Sequence, residues 1–166
     1  MFFIRTAMER DLPAVSALLA ETWHATYDPI YGRERVEEII RSWHGVEQLR
    51  PRLSRPSSEF IVADNGERLA AMGYAATSDS DRSLVVLHQL YVLPGDQRTG
   101  IGSEMLIELM NAFPDSRRMQ CEVEPANRGA VLFYEKHGFR GQKTAIAKGS
   151  LEDGVEVSVF EAVLGT

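Results

Sequence analysis

Leu87-His-Gln-Leu-Tyr-Val-Leu-Pro-Gly-Asp-Gln-Arg-Thr-Gly-Ile-Gly-Ser-Glu-Met-Leu106 holds a β-branched and aromatic run that stops at Pro94-Gly95 and restarts with a different period. Pro94 cannot donate to a sheet ladder, so a strand ends there. Ile101, Met105, Leu109 and Phe113 then recur every four residues and mark one face of a helix. The stretch delivers a strand, through a glycine loop, to a helix N-terminus opened by Gly100 and Gly102. Such N-termini carry unpaired N–H groups and partial positive charge, and missing side chains let an anion reach them. Phosphate is the expected ligand of the loop.

The spacing is not the Gly-x-x-x-x-Gly-Lys-Ser/Thr phosphate loop. Nor is it the Gly-x-Gly-x-x-Gly of dinucleotide folds, since Met105 stands at the third glycine's place. Gln97-Arg98-Thr99-Gly100-Ile101-Gly102, preceded by Leu90-Tyr91-Val92-Leu93-Pro94, resembles the cofactor loop of the Gcn5-related N-acetyltransferases (GNAT), Gln/Arg-x-x-Gly-x-Gly/Ala. A second block in that family's order follows, Asn127-Arg-Gly-Ala-Val-Leu-Phe-Tyr-Glu-Lys-His-Gly-Phe139. The resemblance is specific from about residue 84 to about 140 and generic in the first half. It implies one α/β domain over residues 1–166, with a mixed central sheet of about seven strands flanked by helices. The family's order is β-α-α-β-β-β-α-β-α-β-β, and its sheet splays where the fourth and fifth strands part.

Local signals along the chain agree with that order. Residues 2 to 6 read as a strand, and Glu9-Arg-Asp11 with Pro13 starts a helix striped by Leu12, Val15, Leu18, Leu19 and Trp23. That helix is expected to end between Thr22 and Thr26, ahead of Pro29. Val36, Ile39, Ile40 and Trp43 define the next helix, and a basic linker between Pro51 and Pro56 follows a short helix at 46 to 50. Phe60–Asp64 and Leu69–Ala76 flank Asn65-Gly66 as a hairpin, whose partner strand, 83 to 93, ends at the glycine loop. Met119–Val123 is a strand. Asn127 caps the following helix, and Gly138-Phe139 ends it. Strands near 142–149 and 154–163 close the chain around Glu152-Asp-Gly154.

Composition narrows the class. A chain of 166 residues, 44% hydrophobic and 25% charged, is long enough for a real core, and no apolar run approaches a membrane span. No basic segment followed by an apolar one opens the sequence, so a soluble, cytoplasmic protein is expected. The net charge of −6 argues against nucleic acid. The lone Cys121 excludes an internal disulfide and alternates with apolar neighbours as a buried thiol would. His24, His44, His88 and His137 show no ligand spacing, so no metal site is expected. Dimers are frequent in the family and the closing strands offer an edge. The oligomeric state stays open.

Acyl transfer from a thioester to an amine needs a neutral amine, a place for oxyanion charge and a proton for the departing thiolate. A lysine-like amine titrates near ~10.4 and gains most from a base. The block Glu122-Val-Glu-Pro-Ala-Asn127 is similar to the Glu-Val-Arg-x-x-Asn of ribosomal-protein N-terminal acetyltransferases, which implies Glu122 as a base acting through water. Glu124 departs from that pattern's arginine, and Glu124, His88 or water alone can serve instead. Many relatives are acidic at or near Gln89, whose amide takes no proton.

Tyr134 falls on the family tyrosine of Leu-Phe-Tyr-Glu and is the implied acid. A phenol near pKa ~10 stays protonated beside a thiolate near ~8.5. The resemblance further implies acetyl-CoA held by the strand edge at Leu90, Tyr91 and Val92, by the backbone of Gln97, Arg98, Thr99, Gly100, Ile101, Gly102 and Ser103, and by Asn127. An N–H near Val92 is then the donor to the thioester carbonyl. Tyr27 and Tyr31, with Trp23 and Gln89, are the candidate contacts of an amine acceptor, since aromatic faces suit cations. Polyamine, amino acid, antibiotic amine, peptide N-terminus and protein lysine all remain open. The second class compatible with the sequence is a non-catalytic acyl-CoA sensor of the same fold, disfavoured by the presence of both Tyr134 and Glu122.

Overall fold

The computed structural model describes residues 1–146 and 156–165. Its seven strands are β1 (Phe3–Thr6), β2 (Ser58–Asp64), β3 (Leu69–Thr77), β4 (Leu84–Val92), β5 (Arg118–Val123), β6 (Arg140–Ile146) and β7 (Glu156–Val163). They form one sheet in the order β1-β2-β3-β4-β5-β7-β6. Only β4 and β5 are parallel, so the sheet is mixed as expected. The expected turn at Glu152–Gly154, and the strand ends at 147–149 and 154–155, lie outside the described residues.

Five helices cover the two faces: α1 (Leu12–Tyr31), α2 (Arg33–Trp43), α3 (Val46–Leu49), α4 (Ile101–Asn111) and α5 (Arg128–Lys136). Leu12, Val15, Leu18 and Leu19 of α1, with Leu49 of α3, pack on Phe60, Val62, Met72 and Tyr74. Met105 and Leu109 of α4 and Val131 of α5 pack on the opposite face against Ile61, Val85, Leu87, Cys121 and Phe160. Gly73 admits α4 closely, because a Cβ there would come within 2.9 Å of the Leu109 side chain. A third cluster, Trp23, Tyr27, Val36 and Ile39, joins α1 to α2.

Two boundaries differ from the sequence expectation. Helix α1 does not stop before Pro29 but carries it in its last turn and ends at Gly32, whose N–H donates to Asp28 O at 3.0 Å. A proline near a helix end removes one donor and leaves the turns behind it intact, so two further residues of α1 follow. The β2–β3 connection is also longer than a two-residue turn. Asn65 Oδ1 accepts from the N–H groups of Glu67 and Arg68, and only Gly66 of that pair takes positive φ.

The sheet parts between its middle strands. β4 and β5 pair only over Leu84–Arg118, Val85–Met119 and Val86–Gln120, after which they diverge. β4 also carries an extra residue relative to β3. Leu87 pairs with Ala75 and Gln89 with Tyr74, which leaves His88 as a bulge. Leu87 therefore points to the α4 face, whereas His88, in ring contact with Tyr74, and Gln89, bonded to His44, both turn toward the α1 and α3 side.

Candidate active site

A cavity of about 620 Å³ fills the gap where the strands part. Its walls are β4 from Leu87 to Val92, β5 from Cys121 to Val123, the loop and helix start from Gln97 to Ser103, the α5 residues Ala130, Phe133 and Tyr134, and Thr22, Thr26 and Tyr27 of α1.

The loop is built as the sequence suggested. Gly100 has φ +92°, a conformation costly for any residue with a Cβ, and Arg98 takes φ 62° beside it. At Gly102 a Cβ would make ordinary contact, 3.4 Å from the Phe133 ring and 3.5 Å from Val92, so the bare glycine leaves its backbone open to the cavity without being forced by a clash. Gln97 Nε2 donates to Val92 O at 3.0 Å and Thr99 Oγ1 to Asp96 O at 2.6 Å, so these side chains brace the turn. Ile101 is buried in the core while Gly100, Gly102 and Ser103 face the cavity.

Leu93 N–H donates to Ala70 O across to β3, so the alternate N–H groups of Leu90 and Val92 face the other way, toward the gap left by β5. The Thr22 hydroxyl, on the α1 wall, is buried with no hydrogen-bond partner among the described residues.

Glu122 and Tyr134 both line the cavity. Partial burial raises the Glu122 carboxyl above its ordinary range. Tyr134 is raised well above the usual phenol value, mainly by burial and further by Cys121 and Tyr27 nearby, so it stays protonated. Burial likewise pushes the Cys121 thiol up and out of nucleophile range. His88 keeps an exposed edge, and desolvation of the rest of its ring, with the nearby charges of Arg55 and Arg52, lowers its pKa and weakens it as a base. Glu124 is buried, and its carboxylate accepts from the Tyr31 hydroxyl at 2.7 Å and from Ala126 N–H at 3.2 Å.

The other expected residues divide. Tyr27 is on the cavity wall, and its hydroxyl accepts from Asn127 Nδ2 at 3.3 Å while Asn127 Oδ1 caps α5 at Ala130 N–H. Tyr31 stacks on Tyr27 and bonds Glu124, outside the cavity lining. Trp23 is a correction: its ring is 0% exposed, tilted against Tyr27 and His44, and presents no surface to a ligand. Every-fourth-residue spacing on α1 put it in the interior. Gln89 lines the cavity but is 3% exposed and held at both ends, its Oε1 accepting from Arg52 and its Nε2 facing His44 Nδ1 at 3.3 Å. An amide suits this place because it donates to one partner and accepts from the other.

Sequence reasoning missed Thr22 and Thr26 on the cavity wall and Arg52, which stands behind Gln89 rather than on the wall itself. Arg52 had no local signal, since it meets Gln89 across 37 residues of chain. Among the described residues, no group of three or more His, Cys, Asp or Glu side chains is arranged to hold a metal, and no helix is long and apolar enough to cross a membrane.

The profile of the Acetyltransferase (GNAT) family matches residues 14–139, and the chain belongs to that family. It is 26% identical over 145 residues to spermidine N(1)-acetyltransferase of Thermoplasma acidophilum, covering 85% of this chain and 89% of the relative. The crystal structure of PaiA N-acetyltransferase from Thermoplasma acidophilum in complex with coenzyme A shares the fold with TM-score 0.84 and 22% identity, over 98% of this chain and 99% of that one. The ribosomal-protein-S18-alanine N-acetyltransferase of Escherichia coli superimposes with TM-score 0.72 at 15% identity, covering 100% and 96%. The protein is an acetyltransferase by class.

Proposed function

We propose that this acetyltransferase moves an acetyl group from acetyl-CoA to a primary amine by direct attack within a ternary complex. The observation that carries this is the gap between β4 and β5, with an open strand edge on one side, a glycine-opened helix at its mouth and Glu122 and Tyr134 on its walls. The edge at Leu90–Val92 suits an amide-bearing chain, the N–H groups at the start of α4 suit a pyrophosphate, and the unpartnered Thr22 hydroxyl adds a polar contact. The coenzyme A in the Thermoplasma structure and the acceptor in the Thermoplasma relative's name agree with this reading.

Acetyl-CoA supplies the activated thioester when bound. Glu122, its carboxyl raised by partial desolvation at the cavity wall, takes the proton from the incoming ammonium through water, which leaves a neutral amine to attack. The N–H of Val92 is the donor available to oxyanion charge. Tyr134, protonated at neutral pH, passes its proton to the departing sulfur. Cys121 takes no part, since its thiol stays protonated, and no acyl-enzyme forms.

The test is calorimetric titration with acetyl-CoA, with a nicotinamide dinucleotide as control, followed by thiol release from amines. Tyr134→Phe is expected to lower kcat about 10- to 1,000-fold while acetyl-CoA affinity holds. Unchanged turnover removes Tyr134 from the reaction. Absence of acetyl-CoA binding removes the whole reading, and tight binding without thiol release from any amine favours the sensor.

A further inference from the structure

We propose that Arg52 is the anion-reading residue of the acceptor site, so that the acceptor is a small primary amine carrying a carboxylate. This deepens the acetyl-transfer reading above and rests on it. Arg52 lies in the helical turn Arg50–Leu53, and its Nη1 donates to Gln89 Oε1, one residue before the open edge that begins at Leu90. Its guanidinium carbon sits 5.3 Å from the centroid of the Tyr74 ring.

Three other half-buried arginines meet carboxylates: Arg5 meets Asp11 and Asp64, Arg55 meets Asp79, and Arg118 meets Asp81 and Glu161. Arg52 alone among the described half-buried arginines meets none. The ionisable groups that feel its charge are His44, His88, Tyr74 and Tyr91, and Asp79, the acid beside His88, is exposed and engaged at 3.6 Å by Arg55.

Two buried polar atoms around Arg52 lack partners among the described residues. The Tyr74 hydroxyl and His44 Nε2 are buried with no hydrogen-bond partner among the described residues, and Arg52 donates there only to Gln89. A shielded cation left without a counter-ion is costly, and a planar guanidinium matches a carboxylate in two parallel bonds. Arg52 adjoins the cavity through Gln89, the neighbour of Leu90 on its wall, so the proposed acceptor is a compact one whose carboxylate lies close to its amine, as in an amino acid. A polyamine would instead bring positive charge against Arg52.

The experiment compares matched acceptors in a thiol-release assay: α-amino acids against their carboxamides, ω-amino acids against the corresponding alkylamines, and spermidine. The expected result is at least a tenfold higher kcat/KM for one carboxylated amine than for its uncharged counterpart, with the α or ω series showing which spacing fits. Arg52→Gln should erase the preference by raising KM for the carboxylated amine about 10- to 100-fold, with kcat and the uncharged counterpart little changed. Arg52→Lys should recover part of it. A panel in which no carboxylated amine outruns its counterpart, whether spermidine is best or nothing is acetylated, overturns the assignment, as does an equal effect of Arg52→Gln on both members of a pair. Should Arg52→Gln fail to bind acetyl-CoA, Arg52→Lys and the unaltered protein's preference decide. Failure of the unaltered protein to bind acetyl-CoA removes the acetyltransferase reading itself, whereas binding without carboxylate preference removes only the role of Arg52.

Discussion

Glu122 is exposed at the cavity wall, where partial desolvation raises its pKa, and the direction fixes how activity should vary with pH. The carboxylate form is the base, so turnover falls as pH drops through the raised value, which lies above the ordinary ~4.3 of glutamate. Glu122→Gln should lower kcat by about 100-fold and flatten that acid limb. An acid limb unchanged in the variant would shift the role to Glu124, His88 or water. At this scale the sequence showed a good deal. Glu122, Tyr134 and Tyr27 were legible and do meet on one cavity, because two were carried by a family motif and one by its place beside Pro29. Trp23 goes to the interior instead, because the same aromatic spacing describes a pocket and a core, and only packing distinguishes them. Arg52 was illegible for a different reason, since nothing in a linker of prolines and arginines says which side chain turns inward.

Among the elements, the strand, loop and helix from Leu84 to Asn111 follow directly from side-chain period and glycine placement. Gly100 makes the claim testable. With φ +92° and no atom within 4 Å of the place a Cβ would occupy, Gly100→Ala meets backbone strain and no clash. It should cost about 1–2 kcal/mol, or a fall in Tm of roughly 2–8 °C, and weaken acetyl-CoA binding if the loop relaxes. A Tm unchanged within error would mean the loop readily adopts another conformation. What period could not show is the bulge at His88, because one extra residue looks like ordinary alternation until the partner strand is known. Nor could it show that α1 runs past Pro29, since the rule that proline ends a helix applies to its interior rather than to its last turn.

Across the whole molecule, burial of histidine governs behaviour in mild acid. His44 is 0% exposed and its pKa falls to about 3, chiefly by desolvation and secondarily by Arg52, while the unfolded chain protonates near 6.5. The unfolded state then binds the proton that the folded state refuses. The stabilisation is complete above about pH 6.5 and is lost as pH falls toward 3, about 2 kcal/mol of it by pH 5. The depressed carboxyls Asp11, Asp64 and Asp81 matter only below about pH 4, because their unfolded values lie there. Urea unfolding at pH 7 and pH 5 should show this loss, and His44→Gln should reduce it. Equal stability at the two values would place His44 in contact with solvent.

The parting of β4 from β5 has one more consequence. Backbone pairing between the two middle strands stops after three residue pairs, and beyond them a strand in the centre of the sheet has the exposed polar backbone of an outer one. On the proposed reading, the molecule that fills the gap is both reactant and missing strand. Each turnover would then complete the architecture and, on product release, leave it open again.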